Sequence, residues 1–209
     1  MPFTAKSGKF NASINVVEFG TGDKAVKIGG ENVFPLYSFD AAIENAPKVG
    51  IEITDFGMEH EPECIKKYYE GCATLADMAR KAASMEGVDF LSFRMEGGDP
   101  NGVNKSTEEL IGELKEIADA VDLPLVVCGC KNVEKDAELF SKAAEALNGK
   151  NAVILSAKEE NYKTVGAAAG LAYKQIVGAE SAVDINLAKQ LNVLISQLGV
   201  DSKSVVMNV

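Results

Sequence analysis

The 209-residue sequence predicts an α/β protein in which helices cover a parallel β-sheet. From residue 49 onwards, short apolar runs alternate with longer segments whose apolar residues recur at helical spacing. The apolar runs are nearly continuous, which is typical of parallel strands that are buried on both faces. With 46% hydrophobic residues, the chain can also bury one sizeable core.

The first 48 residues are predicted as a β-hairpin with a lead-in segment. Residues 20–25, Gly-Thr-Gly-Asp-Lys-Ala, match the G-x-G-x-x-A form of the dinucleotide-binding fingerprint, which requires a preceding strand and a following helix. The residues after this loop alternate instead, with Val26 and Ile28 set between lysines, and alternation is typical of a strand. We therefore interpret Gly20 and Gly22 as turn residues, because glycine adopts backbone angles that other residues resist.

Residues 49–209 are predicted as a second unit made of strand–helix repeats. Ser106 is expected to begin one of its helices as the N-cap, with Glu109 completing a capping box. The predicted strands are residues 49–56, 88–97, 123–130, 151–157, 181–185 and 203–209. The predicted helices are residues 64–87, 106–121, 133–147, 161–176 and 186–199.

The length of these six βα units suits a TIM-type (β/α)8 barrel, but such barrels typically contain about 250 residues. Only about 160 residues follow the hairpin, so the count stops about two strands short. Either the sheet is open or the chain is part of a longer barrel, and the absence of a helix after the last strand favours an incomplete barrel. Such a piece has two unpaired sheet edges, and we expect it to self-associate or swap strands.

The composition argues against several classes of function. The formal net charge is -10, and a chain this acidic is a poor candidate for binding the phosphate backbone of nucleic acids. The sequence has no apolar run long enough to span a membrane. Its first residues lack the apolar core of a signal peptide. We therefore expect a cytoplasmic protein without nucleic-acid or membrane partners.

The cysteines and the single histidine form no recognisable metal-binding pattern. Cys64 and Cys72 lie on a predicted helix, whereas Cys128 and Cys130 lie on a predicted strand. No C-x-x-C pair is present and His60 is the only histidine, so we expect no zinc site or iron–sulfur cluster held by this chain alone. We interpret the cysteines as reduced, buried thiols and His60 as a surface residue.

Polar side chains that follow the predicted strands form the candidate site. In parallel α/β folds, residues just beyond the carboxyl ends of the strands meet on one face, where ligands bind. This face is rich in Asp and Asn, with Arg94, Gly129 and Asn208 also at strand ends, and it offers no Ser–His or Cys–His pair for nucleophilic catalysis. It suits a large ligand with amides and polar edges. The candidate cofactor-binding residues are Asp55, Asp99, Asn132, Asn161, Asp184 and Asn186.

Each of these six residues also has a structural interpretation. Residues 99–102, Asp-Pro-Asn-Gly, form an ordinary turn sequence. Asn161 and Asn186 are both suited to the N-cap of a helix. The functional interpretation therefore depends on the joint placement of the six residues on one face.

Five blocks of the sequence resemble one protein family. They read GTGDKAVKIGGENVFPLYSFD, GGDPNGVNKS, GCKNVEKDAELF, AKEENYKTVGAAAG and VDINLAKQLNVLISQLG, and they occur in the family's order. The chain resembles the small (delta) subunits of the corrinoid/iron–sulfur protein, which belong to the acetyl-CoA decarbonylase/synthase (CO dehydrogenase/acetyl-CoA synthase) systems of anaerobes. The resemblance covers essentially all 209 residues, and family members continue further through additional strands and helices.

The resemblance implies a barrel related to the pterin-binding methyltransferases. It also implies a heterodimer with a large subunit, which carries a 4Fe-4S cluster and a flavodoxin-like corrinoid domain. The strand-end face would cover the cobamide at that interface. The cobalt would accept a methyl group from a methyl-pterin through a methyltransferase and deliver it to acetyl-CoA synthase, in the reductive acetyl-CoA pathway of carbon fixation. The chain has no D-x-H-x-x-G cobalamin motif, which fits a covering subunit.

Two functions are compatible with these observations. The first is a subunit without catalysis of its own, which shields an easily oxidised corrinoid while the cofactor supplies the chemistry. The alternative is a stand-alone pterin-dependent methyltransferase or dihydropteroate-synthase-like enzyme, in which strand-end Asp and Asn side chains bind a pterin. The five matching blocks and the lack of a strong general acid favour the first.

Overall fold

A six-stranded parallel sheet is the main element of the structure. The computed structural model describes residue 8 and residues 10–33 and 43–209, so the predicted N-terminal unit lies partly outside the described residues. A smaller antiparallel sheet precedes the parallel sheet and consists of β1 (Val17–Phe19) and β2 (Val26–Ile28). The parallel strands are β3 (Gly50–Thr54), β4 (Phe90–Arg94), β5 (Leu125–Cys128), β6 (Val153–Ala157), β7 (Ile176–Glu180) and β8 (Val205–Asn208).

Helices connect the successive strands of the parallel sheet. None of the helices in the described part of the chain is long and apolar enough to cross a membrane. The helices are α1 (Glu63–Tyr68), α2 (Leu75–Ala83), α3 (Thr107–Ala120), α4 (Val133–Ala146), α5 (Tyr162–Val165), which continues as a π-helical segment (Gly166–Ala172), and α6 (Ile185–Gln197).

The strands of the parallel sheet lie side by side in chain order, from β3 to β8. Each strand pairs in parallel with the next one along the chain. Parallel strands in chain order with helical crossovers are the arrangement found in (β/α) barrels. The predicted α/β class with a six-stranded parallel sheet is therefore confirmed, and the described sheet is consistent with part of a barrel.

Alternate side chains of the strands enter two different apolar clusters. The outward face of the sheet packs against the helices, through residues such as Phe93, Val127 and Ile154. The inner face carries Val126 and Val153, which pack against the N-terminal sheet instead. Because Val126 and Val153 lie near the starts of their strands, the N-terminal sheet covers the amino-terminal part of the inner face.

Hydrogen bonds to one loop residue hold the N-terminal sheet in place. Asn151 accepts a bond from the backbone N–H of Gly20 at 2.8 Å, and its side-chain amide donates to the carbonyl of Glu18 at 2.9 Å. A 3-10 turn (Gly22–Lys24) joins the two strands. Strand β2 follows this turn at the point where the dinucleotide fingerprint requires a helix, so the loop lacks the context of a nucleotide site.

The single helix predicted over residues 64–87 is wrong, because two helices, α1 and α2, occupy this segment. Gly71 lies between them with a φ of 87°, which interrupts a right-handed helix. Thr74 then begins α2 as its N-cap, in a complete capping box with Asp77. The helical spacing of apolar residues continues in the sequence across Gly71, but the helical conformation of the backbone is interrupted there.

The N-cap predicted for α3 is confirmed, because the Ser106 hydroxyl accepts a bond from the backbone N–H of Glu109 at 3.1 Å. The predicted return bond, from the backbone N–H of Ser106 to the Glu109 side chain, is not formed between these two described residues. The helix therefore begins at the predicted place with one half of a capping box.

The strand predicted at residues 181–185 is wrong, because β7 lies directly before it, at Ile176–Glu180. The preceding helix was predicted to extend over residues 161–176, but it ends before Lys174, whose φ is 54°. Gln175 is fully buried and its side chain bonds backbone groups of neighbouring segments. A short apolar run directly after a helix has no periodicity that separates it from that helix.

Candidate functional site

A cavity of about 430 Å³ opens at the carboxyl ends of the strands from β4 to β8. This is the face where parallel α/β proteins place their ligands. Its apolar lining includes Leu155, Val183 and Val209. Its polar lining residues are Arg94, Lys131, Asp136, Ser156, Lys158, Glu180 and Asn208.

Arg94 is the last residue of β4 and lies on the inner face of the sheet beside β3. Its guanidinium donates two hydrogen bonds to the carboxylate of Glu52, from Nε at 2.9 Å and from Nη2 at 2.8 Å. This two-point geometry fixes the plane of the guanidinium. The hydrogen bonds to Glu52 also raise the pKa of Arg94, so the side chain is a permanent, oriented cation at the edge of the cavity.

Asp136 contributes a buried carboxyl group to the same cavity from the first turn of α4. Its Oδ1 accepts a hydrogen bond of 2.7 Å from the backbone N–H of Cys130. The carboxyl lies so close to Gly129 that a Cβ atom at that position would overlap it. Burial raises the pKa of Asp136, and the Cys130 bonds and the charge of Lys158 counteract only part of this effect.

Contacts among β6, β7, β8 and the residue that follows β6 hold four further polar side chains of the cavity. Lys158, which directly follows β6, forms an ion pair of 3.3 Å with Glu180 at the end of β7. The side-chain amide of Asn208, at the end of β8, donates to the hydroxyl of Ser156 at 2.9 Å. The cavity therefore presents both donors and acceptors.

The backbone is strained at three residues that line the cavity. Lys131, Ala182 and Val183 have φ values of 72°, 44° and 67°. Residues other than glycine rarely take such angles, and a β-branched residue does so least readily. Val183 is also 89% exposed, although it is apolar. Strain of this kind costs on the order of 1–3 kcal/mol per residue and is concentrated at functional sites.

Neither the thiols of Cys128 and Cys130 nor the imidazole of His60 belongs to the cavity lining. Burial raises the pKa of the Cys130 thiol to about 11 and also raises that of Cys128, so both are protonated at neutral pH. His60 is exposed and packs edge-on against Phe56, outside the cavity lining. The prediction of buried thiols holds for these two cysteines, but it is wrong for Cys64, which is exposed.

Among the six predicted site residues, Asp55 is at the centre of a buried ionic network. Its side chain is fully buried and accepts bonds of 2.9 and 3.1 Å from the backbone N–H of Gly97. Lys105 pairs with Asp55 at 3.0 Å and with Glu113 at 3.1 Å. Burial lowers the pKa of Lys105, but the hydrogen bonds to these two carboxylates outweigh it and the net shift is upward. Burial raises the pKa of Glu113.

Two of the other predicted residues are helix N-caps. The side chain of Asn132 accepts from the backbone N–H of Lys135 at 3.0 Å at the start of α4. Asp184 caps α6 by accepting from the backbone N–H groups of Asn186 and Leu187. Asn186 is exposed in the first turn of that helix. Side-chain capping was expected at Asn161 and Asn186, and it is found instead at Asn132 and Asp184. Asn161 occupies the N-cap position of α5 but makes no side-chain capping bond.

The last two predicted residues stabilise loops. Asp99 accepts from the backbone N–H of Asn101 at 3.0 Å, as in the predicted turn. Asn161 is buried, accepts from the backbone N–H of Lys158 at 2.7 Å and donates to the carbonyl of Val133 at 3.3 Å. Asn161 thus holds the backbone of the residue whose side chain lines the cavity.

The structure does not bring the six predicted residues together at the cavity, and none of them is part of its lining. Arg94, Gly129 and Asn208 do line it, at the strand ends where the sequence placed them. Lys158 was missed although it follows β6 directly, and the strand-end rule could have found it. Asp136 was missed because it lies in a helix, where sequence position alone carries no signal of a site. Ligand binding by the six stays a prediction.

These features define a class of protein: an α/β chain with a six-stranded parallel sheet, consistent with part of a barrel, and a polar cavity at the carboxyl ends of its strands. The model of one family, the CO dehydrogenase/acetyl-CoA synthase delta subunit, matches residues 16–208. The chain belongs to this family, as its sequence blocks indicated.

Curated relatives support the same assignment. The chain is 31% identical over 195 residues to the acetyl-CoA decarbonylase/synthase complex subunit delta of Methanothermobacter thermautotrophicus, a match that covers 92% of this chain and 49% of the relative. The corresponding subunit of Methanocaldococcus jannaschii is 30% identical over 208 residues, with coverage of 96% and 51%. That of Archaeoglobus fulgidus is 29% identical over 194 residues, with coverage of 90% and 42%. The chain therefore spans about half the length of the curated relatives it matches.

Proposed function

We propose that the chain is part of a delta subunit of an acetyl-CoA decarbonylase/synthase complex, and that its strand-end face covers a cobamide held by a large corrinoid/iron–sulfur subunit. The observation that carries this proposal is the polar cavity at the carboxyl ends of β4 to β8. The family and the names of its relatives indicate the complex to which we assign the chain. The cavity supplies the place on this chain where a cofactor edge would bind.

The residues of the cavity fit a cobamide in size and in chemistry. A volume of about 430 Å³ admits an edge of a corrinoid with its side chains but does not enclose the whole macrocycle, as expected of a cover. The rim of a corrin ring carries carboxamide groups, which need both donors and acceptors. Arg94, Lys158 and Asn208 would donate, and Asp136 and Glu180 would accept. When bound, the cobamide supplies the methyl-transfer chemistry, while this chain orients it and excludes water.

The finer features of the proposal follow the same reasoning. The six parallel strands would form most of a TIM-type barrel, with β1 and β2 as a hairpin at its amino-terminal end. Heterodimer formation with the large subunit would place the strand-end face at the interface. A methyl-pterin:corrinoid methyltransferase and acetyl-CoA synthase would be the further partners, in the cytoplasm of an anaerobe that fixes carbon through this pathway.

Reconstitution with the large subunit tests the proposal. The chain is mixed with cobamide-loaded large subunit, and complex formation and the rate of cobalt(I) oxidation are followed by size-exclusion chromatography and by the cobamide absorbance spectrum. We expect a stable complex that slows oxidation. Arg94→Ala should weaken this protection because Arg94 lines the cavity, whereas Arg80→Ala, at an exposed position on α2, should not.

Two results would contradict the proposal. One is the absence of any complex or of any effect on the cobamide spectrum. The other is tight binding of a methyl-pterin by the chain alone, together with methyl transfer in the absence of a large subunit. The second result would support the alternative of a stand-alone pterin-dependent enzyme.

A further inference from the structure

Asp136 and Lys158 both line the strand-end cavity, and sequence reasoning assigned a role to neither. We propose that these two side chains form a recognition site for an amide edge, in which Asp136 accepts a hydrogen bond from the ligand N–H and Lys158 donates one to the ligand C=O. For a corrinoid ligand, this inference rests on the proposed function. Recognition of an amide group in general does not depend on the proposed function, because it follows from the chemistry of the two side chains.

The hydrogen-bonding capacity of Asp136 is only partly used within the protein. A carboxylate offers about four lone-pair positions. The backbone N–H of Cys130 occupies one of them on Oδ1, and the Cys130 thiol and the backbone N–H of Lys131 also bond to the carboxyl. These bonds hold the carboxyl in place. Asp136 is only 5% exposed, and it lines the cavity. A buried, fixed acceptor at the wall of a cavity gains most from a ligand that donates to it.

Lys158 supplies the complementary donor. Its ammonium group has three N–H donors, of which the ion pair with Glu180 at 3.3 Å directs one. The charge of Lys158 lowers the pKa of Asp136, so the two groups act on each other through space. Among the described residues, the ion pair of Lys158 is with Glu180 and not with Asp136, so the two side chains that we assign to the ligand are not each other's direct partners.

The cavity lining carries charges of both signs, with cations at Arg94, Lys131 and Lys158 and anions at Asp136 and Glu180. At the pair of Asp136 and Lys158, a ligand carboxylate satisfies only Lys158 and is repelled by Asp136, whereas a ligand ammonium satisfies only Asp136 and is repelled by Lys158. A neutral amide presents an N–H to Asp136 and a C=O to Lys158, so it satisfies both. Two sources carry such an edge: the carboxamide side chains of a corrinoid and the lactam ring of a pterin.

Calorimetric titration of the chain tests the inference with three probes. The probes are cobinamide, which carries corrin carboxamides, its fully hydrolysed carboxylate form, and a tetrahydropterin. We expect the chain to bind cobinamide or the pterin at least ~10-fold more tightly than the carboxylate form, since a hydrogen bond to a charged group contributes this much. The probe that binds identifies the source.

Asp136→Asn and Lys158→Gln test the two residues separately. Asp136→Asn keeps an oxygen for the Cys130 N–H but replaces the other oxygen with a donor. It should therefore weaken binding of the amide probe about 10-fold and strengthen binding of the carboxylate form. Asp201→Asn is the matched control, because Asp201 is exposed and also accepts a backbone N–H, that of Lys203. Circular dichroism verifies that each variant is folded.

An unchanged affinity and an unchanged preference in Asp136→Asn would overturn the inference, as would a wild-type chain that binds no amide probe. The outcome is separable from that of the proposed function. If the chain protects the cobamide on the large subunit but Asp136→Asn has no effect, only the amide site is wrong. If amide binding depends on Asp136 but no complex with the large subunit forms, only the proposed function is wrong.

Discussion

Replacing Lys105 with methionine should destabilise the protein more than any loss of a surface charge. Within the described part of the chain, Lys105 is the one ionic partner of Asp55, at 3.0 Å, and it also pairs with Glu113 at 3.1 Å. The Asp55 side chain is 0% exposed, whereas those of Lys105 and Glu113 are 16% and 22% exposed. Methionine keeps most of the side-chain length but removes the charge from between two carboxylates.

The size of the expected loss in stability follows from the burial of Asp55, which loses its ionic partner. Breaking a buried ion pair from one side costs about 3–5 kcal/mol, because the remaining charge stays buried without compensation. Asp55 would keep both of its bonds from the backbone N–H of Gly97, and Glu113 is in partial contact with water. We therefore expect a loss at the lower end of that range, about 3 kcal/mol in the free energy of unfolding.

The loss should also depend on pH. Burial already raises the pKa of Glu113, and Lys105 opposes this, so removal of Lys105 should raise that pKa further. A group whose pKa is higher in the folded than in the unfolded state loses its stabilising contribution as pH rises through the folded-state value. The free energy of unfolding that is lost in Lys105→Met should therefore be larger at pH 7 than at pH 5.

Urea unfolding followed by far-ultraviolet circular dichroism measures both effects. The control is Lys142→Met, which removes an exposed lysine that pairs at 3.0 Å with Glu145 on the same helix and should change stability little. A deficit below about 1 kcal/mol in Lys105→Met, the value of a surface pair, would refute the reasoning. A deficit that is the same at pH 5 and pH 7 would refute the role assigned to Glu113.

Two further predictions concern the cavity wall and the thiols. Gly129→Ala should destabilise the protein by about 1–3 kcal/mol, because the new Cβ would overlap the carboxyl of Asp136. Gly112→Ala, in an open position of α3, should instead stabilise it by about 0.5–1 kcal/mol, and the same urea titration compares the two. With a thiol reagent at pH 8, exposed Cys64 should react rapidly, whereas Cys130, with its pKa of about 11, should react only after unfolding. Rapid labelling of Cys130 in the native protein, identified by peptide mass, would contradict its burial.

Local signals in the sequence were sufficient to predict most of the helices and strands. Ser106 marks the start of α3 because its side chain replaces a backbone partner that the helix itself lacks. Local signals failed where neighbouring segments have similar composition. β7 was placed at residues 181–185 because Ile176 and the residues after it extend the apolar pattern of the preceding helix. The end of that helix is set by buried Gln175, whose partners include Ala152 and Leu147.

The candidate site was predictable in position but not in its members. Arg94 and Asn208 were found at strand ends because the carboxyl edge of a parallel sheet is fixed by chain direction. The same rule selected Asp55, but its carboxyl turns inward to Lys105, which lies 50 residues further along the chain. Asp136 enters the cavity from a helix because Gly129, without a side chain, leaves space for its carboxyl.

The sequence by itself determined the α/β class, the run of parallel strands and the family, since these depend on periodicity along the chain and on the order of five sequence blocks. Only the tertiary structure decided which polar side chains line the strand-end cavity. An Asp or Asn at a strand end has the same local sequence whether it caps a helix, as Asn132 does, or joins a buried ion network, as Asp55 does. The difference lies in partners tens of residues away, because a buried charge or amide takes whichever compensating group the fold brings within hydrogen-bonding distance.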